Sequence, residues 1–196
     1  QPVRYQQQTM PFCWALSRLQ LPAKPPAPDE QLDGWLTSQQ PLPLRTYSIA
    51  SIPEEGHIAL LVRQVQKEKG ALGVGSGWLT ALAPEMHPVR FRLRRHSSFH
   101  LPDDDRPVIL IGNGTGIAGL RALLAERVQR RHQKNWLLFG ERKQETDFFF
   151  ARDLQQWQQQ GFIHRLDLAF SRDQQEPRYV QHLLAEQQAE LKHWLA

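Results

Sequence analysis

The stretch PVILIGNGTGIAGLR, residues 107–121, sets the reading of everything around it. A short apolar run, 108–111, stops at Gly112, and Gly114 and Gly116 follow at once. Beyond them Ile117, Leu120, Leu123, Leu124 and Val128 recur at helical spacing as far as Arg130 and Arg131. Strand, glycine turn and helix together make an anion cradle. A backbone without Cβ atoms can approach a phosphate closely, and a helix start offers unpaired N–H groups at the positive end of its dipole. The Thr115 hydroxyl adds a donor. No Lys-Ser/Thr pair follows, so this is not a Walker loop; a tight βα turn that binds nothing is the plainer alternative.

From residue 107 onward the period supports that start. Strand 108–111 leads to helix 117–131, strand 136–139 to helix 147–159, and strand 162–168 to helix 178–195. This βαβαβα order predicts a parallel sheet with right-handed crossovers. Ligands of such sheets bind outside the carboxyl ends of the strands. All three ends here are polar: GNGTG after the first strand, FGERKQETD (139–147) after the second, and SRDQ (171–174) after the third. Ser171 offers a hydroxyl and Arg172 a planar fork of donors, a set suited to a phosphate monoester. Arg178, Tyr179 and Gln181 follow, adding a second cation and a ring able to stack on a purine. A dinucleotide with its pyrophosphate on Gly114 and Thr115 would bring a ribose 2′-phosphate here, which selects NADPH over NADH. Asp173 counts slightly against this, and a helix cap beside a surface arginine is the alternative.

The segment before residue 102 has a different rhythm. LRTYSIAS (44–51), HIALLVRQVQ (57–66) and VRFRLRR (89–95) read as short strands of an antiparallel barrel or sandwich, with turns between them. Along the first, Arg45 and Tyr47 would share one face, a cation beside an aromatic, while Thr46 and Ser48 share the other. GVGSG (73–77) is a second turn rich in backbone donors, and one helical turn, 77–82, follows. An exposed strand and an ordinary hairpin loop are the alternatives. Residues 1–28 resist reading, although LPAKPPAPDE (21–30) is loop or linker and a short helix is predicted over 29–38, with Leu32, Trp35 and Leu36 on one face. The predicted organisation is an unassigned segment 1–41, a partial antiparallel barrel 42–102, and an α/β domain 103–196 hinged at the acidic 103–105.

Composition narrows the function. Hydrophobic residues make up 40% and charged residues 22%, and the apolar runs are far too short for a bilayer. Net charge is +4 and the pI near 9.5, with Lys and Arg scattered, which argues for an acidic protein partner or a phosphorylated ligand before nucleic acid. The single cysteine, Cys13, excludes an internal disulfide, an iron–sulfur cluster held within this chain and a cysteine-based zinc site. Of the eight histidines only His96 and His100 approach metal spacing, across a turn-like Ser-Ser, so no metal is expected. The chain starts at Gln and stops inside a helical pattern, so both ends read as cut.

Taken together, these motifs resemble the FAD- and NADPH-binding half of diflavin reductases in the ferredoxin–NADP reductase family. RTYSIAS, GVGSGWL, FHLP, GNGTGIAGLR, KNWLLFGERKQETDFFFARDL, FSRD and RYVQHLL occur in the family's order over some 150 residues. The resemblance implies a β + α/β fold: a partial antiparallel β-barrel FAD domain followed by a parallel-sheet, Rossmann-like NADP(H)-binding domain. It implies that Arg45 pairs with the FAD pyrophosphate and that Tyr47 stacks on the isoalloxazine. It places Ser48, the catalytic candidate, near flavin N5, and puts Gly73, Val74 and Ser76 on the FAD phosphates. Gly114 and Thr115 would hold the NADPH pyrophosphate, and Ser171, Arg172, Tyr179 and Gln181 the 2′-phosphate. Arg178 would replace the family's basic residue at Pro177. The implied partner is an electron-accepting protein or an FMN domain, expected to be acidic; a flavodoxin-like domain, a haem or iron–sulfur protein and a small soluble acceptor are the alternatives, in the cytoplasm or at the cytoplasmic face of a membrane. Departures are Asn113 and Gly119, where the family often has Pro, and the lack of an aromatic near Val65 or of a Cys-Gly-Asp strand. The reading is therefore an NADPH-dependent flavoprotein reductase. The alternative is a nucleotide-binding module without turnover; a plain dehydrogenase would leave the β half unexplained.

Overall fold

The structure is a computed structural model that describes residues 2–16, 18–20 and 24–195. The start of the Pro-rich stretch, 21–23, lies outside the described residues. The chain divides into two compact units, Gln1–Thr46 and Tyr47–Ala196.

The first unit is built on a hairpin. Strands β1 (Pro2–Tyr5) and β2 (Gln8–Pro11) pair antiparallel, and Gln6 and Gln7 both take positive φ in the turn. Alternation along β1 buries Val3 and Tyr5. They meet Met10, Ala15 of helix α1 (Phe12–Leu16), Leu19, and Trp35 and Leu36 of helix α2 (Leu32–Ser38). The Arg4 N–H donates to Asp33 Oδ1 at 3.0 Å and fastens α2 to the hairpin.

The second unit holds the parallel sheet. Strands β3 (Val108–Asn113), β4 (Asn135–Glu141) and β5 (Arg165–Phe170) lie in that order, with Val108 opposite Asn135 and Trp136 opposite Arg165. Helices cover both faces. Leu137 and Phe139 of β4 pack with Ile117, Leu120 and Leu124 of α4 (Ile117–Gln129) and with Leu154 of α6 (Ala151–Gln159). Trp136 and Leu138 face the other way, onto Val180 and Leu183 of α7 (Val180–Glu186), with Trp194 of α8 (Gln188–Leu195) against them. A central parallel strand buried on both sides needs a continuous apolar run, and NWLLFGE supplies one. Beneath the sheet, buried Arg127 donates to the Asn135 side chain and to the carbonyls of Arg106 and Lys134.

Two of the expected helices are broken. The one expected over 147–159 is a short turn, α5 (Gln144–Asp147), then α6, with Phe150 at φ 58° between them. Phe148 leaves the helical path to pack on Phe139 and Phe170, with ring centroids 6.5 and 5.7 Å away. The helix expected over 178–195 bends at Gln187, so that Trp194 packs edge-on against Trp136 at 5.6 Å.

The expected barrel strands are not formed. No closed barrel or strand ladder occurs between residues 42 and 102 among the described residues; only the isolated bridges Ile49–Leu60 and Gln66–Leu72 do. Where a ladder would continue, a side chain takes over. The Ser51 hydroxyl accepts the Ala59 N–H at 2.9 Å and donates to the His57 carbonyl at 2.8 Å. The helical turn α3 (Val74–Gly77) runs into a wider turn over Trp78–Leu82, as the sequence suggests. Arg121 of α4 joins this region to the α/β core: it donates to the Ala50 carbonyl and pairs with Glu55 and Asp153. Among the described residues no helix is long and apolar enough to cross a membrane.

Candidate functional site

The carboxyl ends of β3, β4 and β5 open onto one cleft of about 500 Å³. From β3 and its turn come Asn113 and Gly114; from β4, Gly140, Glu141 and Arg142; from β5 and its loop, Ala169, Ser171 and Arg172. Pro177, Tyr179 and Gln181 close the side at the start of α7. A cleft therefore lies where the sequence places the ligand site, and the sheet's register creates it. Gly112 pairs with Phe139 and Asn113 with Gly140, so the β3 and β4 loops leave at the same level.

Two glycines shape this cleft. Gly114 has φ 58°, a conformation costly for any residue with a Cβ, and it begins the tight turn Gly114–Gly116 that feeds α4. At Gly140 a Cβ would stand 2.3 Å from Asn113 Oδ1 and 2.7 Å from Val180 Cγ2. Thr115, half-buried, is the middle residue of this turn; neither the turn nor the helix has a side-chain cap, so among the described residues their N-caps give the first N–H groups no side-chain acceptor.

The third loop is fastened to the second by backbone hydrogen bonds. The Ser171 N–H donates to the Glu141 carbonyl at 2.9 Å and the Arg172 N–H to the Arg142 carbonyl at 2.8 Å. Arg172 is exposed at the rim. Asp173, the acidic neighbour that counted against a phosphate, is turned aside: its Oδ2 accepts the Gln144 N–H at 2.7 Å. Tyr179 is exposed and stands edge-on to His182 at 5.6 Å. Arg178 does not line the cleft. Its guanidinium pairs with Glu186, the last residue of α7.

Asn113, Gly140, Glu141, Arg142 and Pro177 line the cleft without being site candidates from the sequence, although Asn113 and Pro177 stand out there as departures from the family pattern. Arg142 sits inside a loop already flagged by its charge, so a second cation beside Arg172 was within reach of the sequence. Glu141 was not. Its side chain is only 3% exposed and pairs with Arg63, 78 residues earlier, and no local pattern signals that.

The candidates before residue 102 distribute differently. Arg45 is exposed and belongs to the first unit. In the second, Tyr47 is half-buried and Ser48 exposed. Ser48 lies against α4: a Cβ on Gly119 would stand 3.7 Å from Ser48 Cβ and 3.0 Å from the Phe99 ring. Gly119 is one turn beyond Thr115, so the serine and the glycine turn flank the same end of one helix. Gly73 is buried against Val65 and Ser76, where a Cβ would come within 3.1 and 2.9 Å. Ser76 Oγ accepts the Val65 N–H at 3.0 Å, and Val74 projects outward. The N-cap Gly73 places no side chain over the first N–H groups of α3.

Residues 110–194 match the family described as the oxidoreductase NAD-binding domain, a span that covers the glycine turn and all three strand ends. The chain is 40% identical over 173 residues to the sulfite reductase [NADPH] flavoprotein alpha-component of Aliivibrio fischeri, covering 85% of this chain and 28% of that protein. These matches agree with the resemblance of its motifs to the ferredoxin–NADP reductase family. The same component of Neisseria meningitidis serogroup C is 38% identical over 195 residues, covering 96% of the chain and 31% of the relative. That of Vibrio cholerae is 42% identical over 158 residues, covering 77% and 26%. The Neisseria alignment carries the family likeness into the N-terminal unit, where the sequence motifs stop. The chain spans less than a third of the length of these curated relatives.

Proposed function

We propose that this chain is the nucleotide-binding part of an NADPH-dependent flavoprotein reductase, with NADPH in the cleft at the strand ends. The observation that carries the reading is the convergence of three loops on that cleft, with a glycine turn at one end and Ser171, Arg172 and Arg142 at the other. The pair fits the two ends of a dinucleotide phosphorylated on its adenosine ribose. Gly114 and Thr115 hold the pyrophosphate through backbone N–H groups and a hydroxyl. Ser171 and Arg172 hold the 2′-phosphate, Gln181 adds a polar contact, and Tyr179 covers the adenine. Arg178 backs this loop through its pair with Glu186.

FAD is the second cofactor. Gly73, Val74 and Ser76 suit its phosphates, because the start of α3 offers N–H groups and a Cβ at 73 would crowd Ser76 and Val65. Tyr47 stacks on the flavin, Ser48 lies at its reactive edge, and Arg45 keeps its sequence-based assignment to the FAD pyrophosphate. When bound, NADPH supplies reducing equivalents as hydride and FAD passes them on as single electrons. The chain's own part is positioning. Ser48 and the Thr115 turn flank one end of α4, so two cofactors held there meet across a short, fixed element. We assign the flavin part to 42–102 and the NADP(H) part to 103–196. The acceptor is a flavodoxin-like domain or a haem or iron–sulfur protein with an acidic face, which suits the exposed arginines at 90, 92, 94 and 95; the setting is the cytoplasm.

The test is spectroscopic. The purified chain supplied with FAD takes up flavin and bleaches under argon with NADPH more readily than with NADH. A chain that takes up no flavin and shows no preference for NADPH overturns the proposal.

A further inference from the structure

Glu141 is a buried carboxylate at the mouth of a cleft assigned to a polyanion. Its side chain is 3% exposed, and a Cβ placed on Gly114 would stand 3.3 Å from its Oε1. Left alone, it would repel any phosphate at the glycine turn, and burial would make its charge costly. It is not alone. Its Oε2 accepts the Arg142 N–H, and its Oε1 pairs with the guanidinium of Arg63, whose side chain is 38% exposed and lies 6.0 Å from the centre of the Phe149 ring. Arg63 Nη2, the atom that pairs with Glu141, lies 3.9 Å from the Gly114 Cβ position. Arg63 thus reaches from the 57–66 segment to the edge of the glycine turn, and its fork has more donors than one carboxylate uses.

We infer that Arg63, clamped by Glu141, is a phosphate-binding cation of the dinucleotide site, one that bridges the buried carboxylate and the pyrophosphate at Gly114. This rests on the reading of the cleft as a dinucleotide site and adds to it a ligand from outside the 103–196 segment. Glu141 is its positioning residue. It holds a flexible arginine where the anion arrives, so less side-chain freedom is lost on binding. The arrangement also explains why a carboxylate beside a phosphate site is tolerated: the pair is nearly neutral, and the unused donors of Arg63 supply the attraction.

Two probes separate this role from general folding. NADP+ carries a pyrophosphate and adenosine 2′-monophosphate does not, although both reach the Ser171–Arg172 loop. Dissociation constants for both are measured by calorimetry on the full chain and its variants. Arg63→Ala weakens NADP+ roughly tenfold or more relative to adenosine 2′-monophosphate, the scale of one lost charge-assisted hydrogen bond. Arg63→Lys recovers part of the loss. Because Arg63→Ala strands a buried carboxylate, the double variant Arg63→Ala/Glu141→Gln removes both charges, and it still shows the relative loss, though a smaller one. If the ratio of the two affinities is unchanged in both the single and the double variant, the inference fails while the dinucleotide site stands. If the unsubstituted chain binds neither probe, the cleft assignment fails and this inference falls with it.

Discussion

Arg121→Ala tests how the region before residue 102 is held to the α/β core. The Arg121 side chain is 13% exposed, and its guanidinium donates to the Ala50 carbonyl at 3.0 Å and to Asp153 Oδ2 at 2.7 and 3.0 Å, and pairs with Glu55. It also lies 5.4 Å from the centre of the Trp157 ring and 5.8 Å from that of Phe150. Burial works to lower its pKa, yet Asp153 and Glu55 together hold it above the ordinary arginine value. The hydrogen bond from a charged donor to a carbonyl contributes about 1.5 kcal/mol or more. The carboxylates are 24% and 34% exposed and recover part of their hydration when the arginine leaves, so each ion pair contributes only about 0.5 kcal/mol. The two ring contacts add about 0.5 kcal/mol each. A total near 3.5 kcal/mol follows, which for a chain of this size lowers Tm by roughly 7–14 °C. The loss is local as well as global: amide exchange at Ala50 and Ala59 accelerates more than exchange in β4. The assay is urea unfolding with hydrogen exchange read by mass spectrometry. A loss below about 1 kcal/mol, or equal acceleration in β4 and around Ala50, refutes the argument.

Three further outcomes are expected. Arg172→Ala weakens NADP+ by roughly tenfold or more and leaves NAD+ nearly unchanged, since only the former carries the 2′-phosphate; equal losses for both in paired titrations would remove the assignment. Gly140→Ala drives a Cβ to 2.3 Å from Asn113 Oδ1 and costs about 1–3 kcal/mol in thermal unfolding, with weaker nucleotide binding; an unchanged Tm would mean the site relaxes freely. Hydrogen bonding and pairing with Arg106 hold the Asp104 carboxyl at about 2, below its unfolded value. Its stabilising effect is therefore present above the unfolded carboxylate range and lost as pH falls toward about 2. A carboxyl NMR titration of Asp104 with a midpoint near 4 would contradict it.

The sheet was legible because its signals are local. VILIGN, NWLLFGE and RLDLAF are apolar runs between polar loops, and the glycine turn fixes where the first strand ends and α4 begins. What escaped depends on contacts distant in sequence. Phe148 reads as helix until Phe139 and Phe170 draw it away, and the bend at Gln187 follows from the packing of Trp194 on Trp136. The hairpin of residues 2–11 turns on Gln6 and Gln7, which carry no glycine or asparagine signal for positive φ. The strands expected at 44–51, 57–66 and 89–95 show the opposite error. Alternating residues record a half-buried extended segment, but a ladder also needs a neighbour in register, and the run does not encode one. In the cleft, Ser171 and Arg172 announced themselves by chemistry and position, whereas Glu141 acquires its meaning only from Arg63.

The most direct measurement is a calorimetric titration of the purified chain with NADP+ and, separately, with NAD+. Saturable binding of one NADP+ per chain is expected, at least tenfold tighter than NAD+ and weakening as salt is raised. No binding of NADP+, or equal affinity for the two nucleotides, would contradict it.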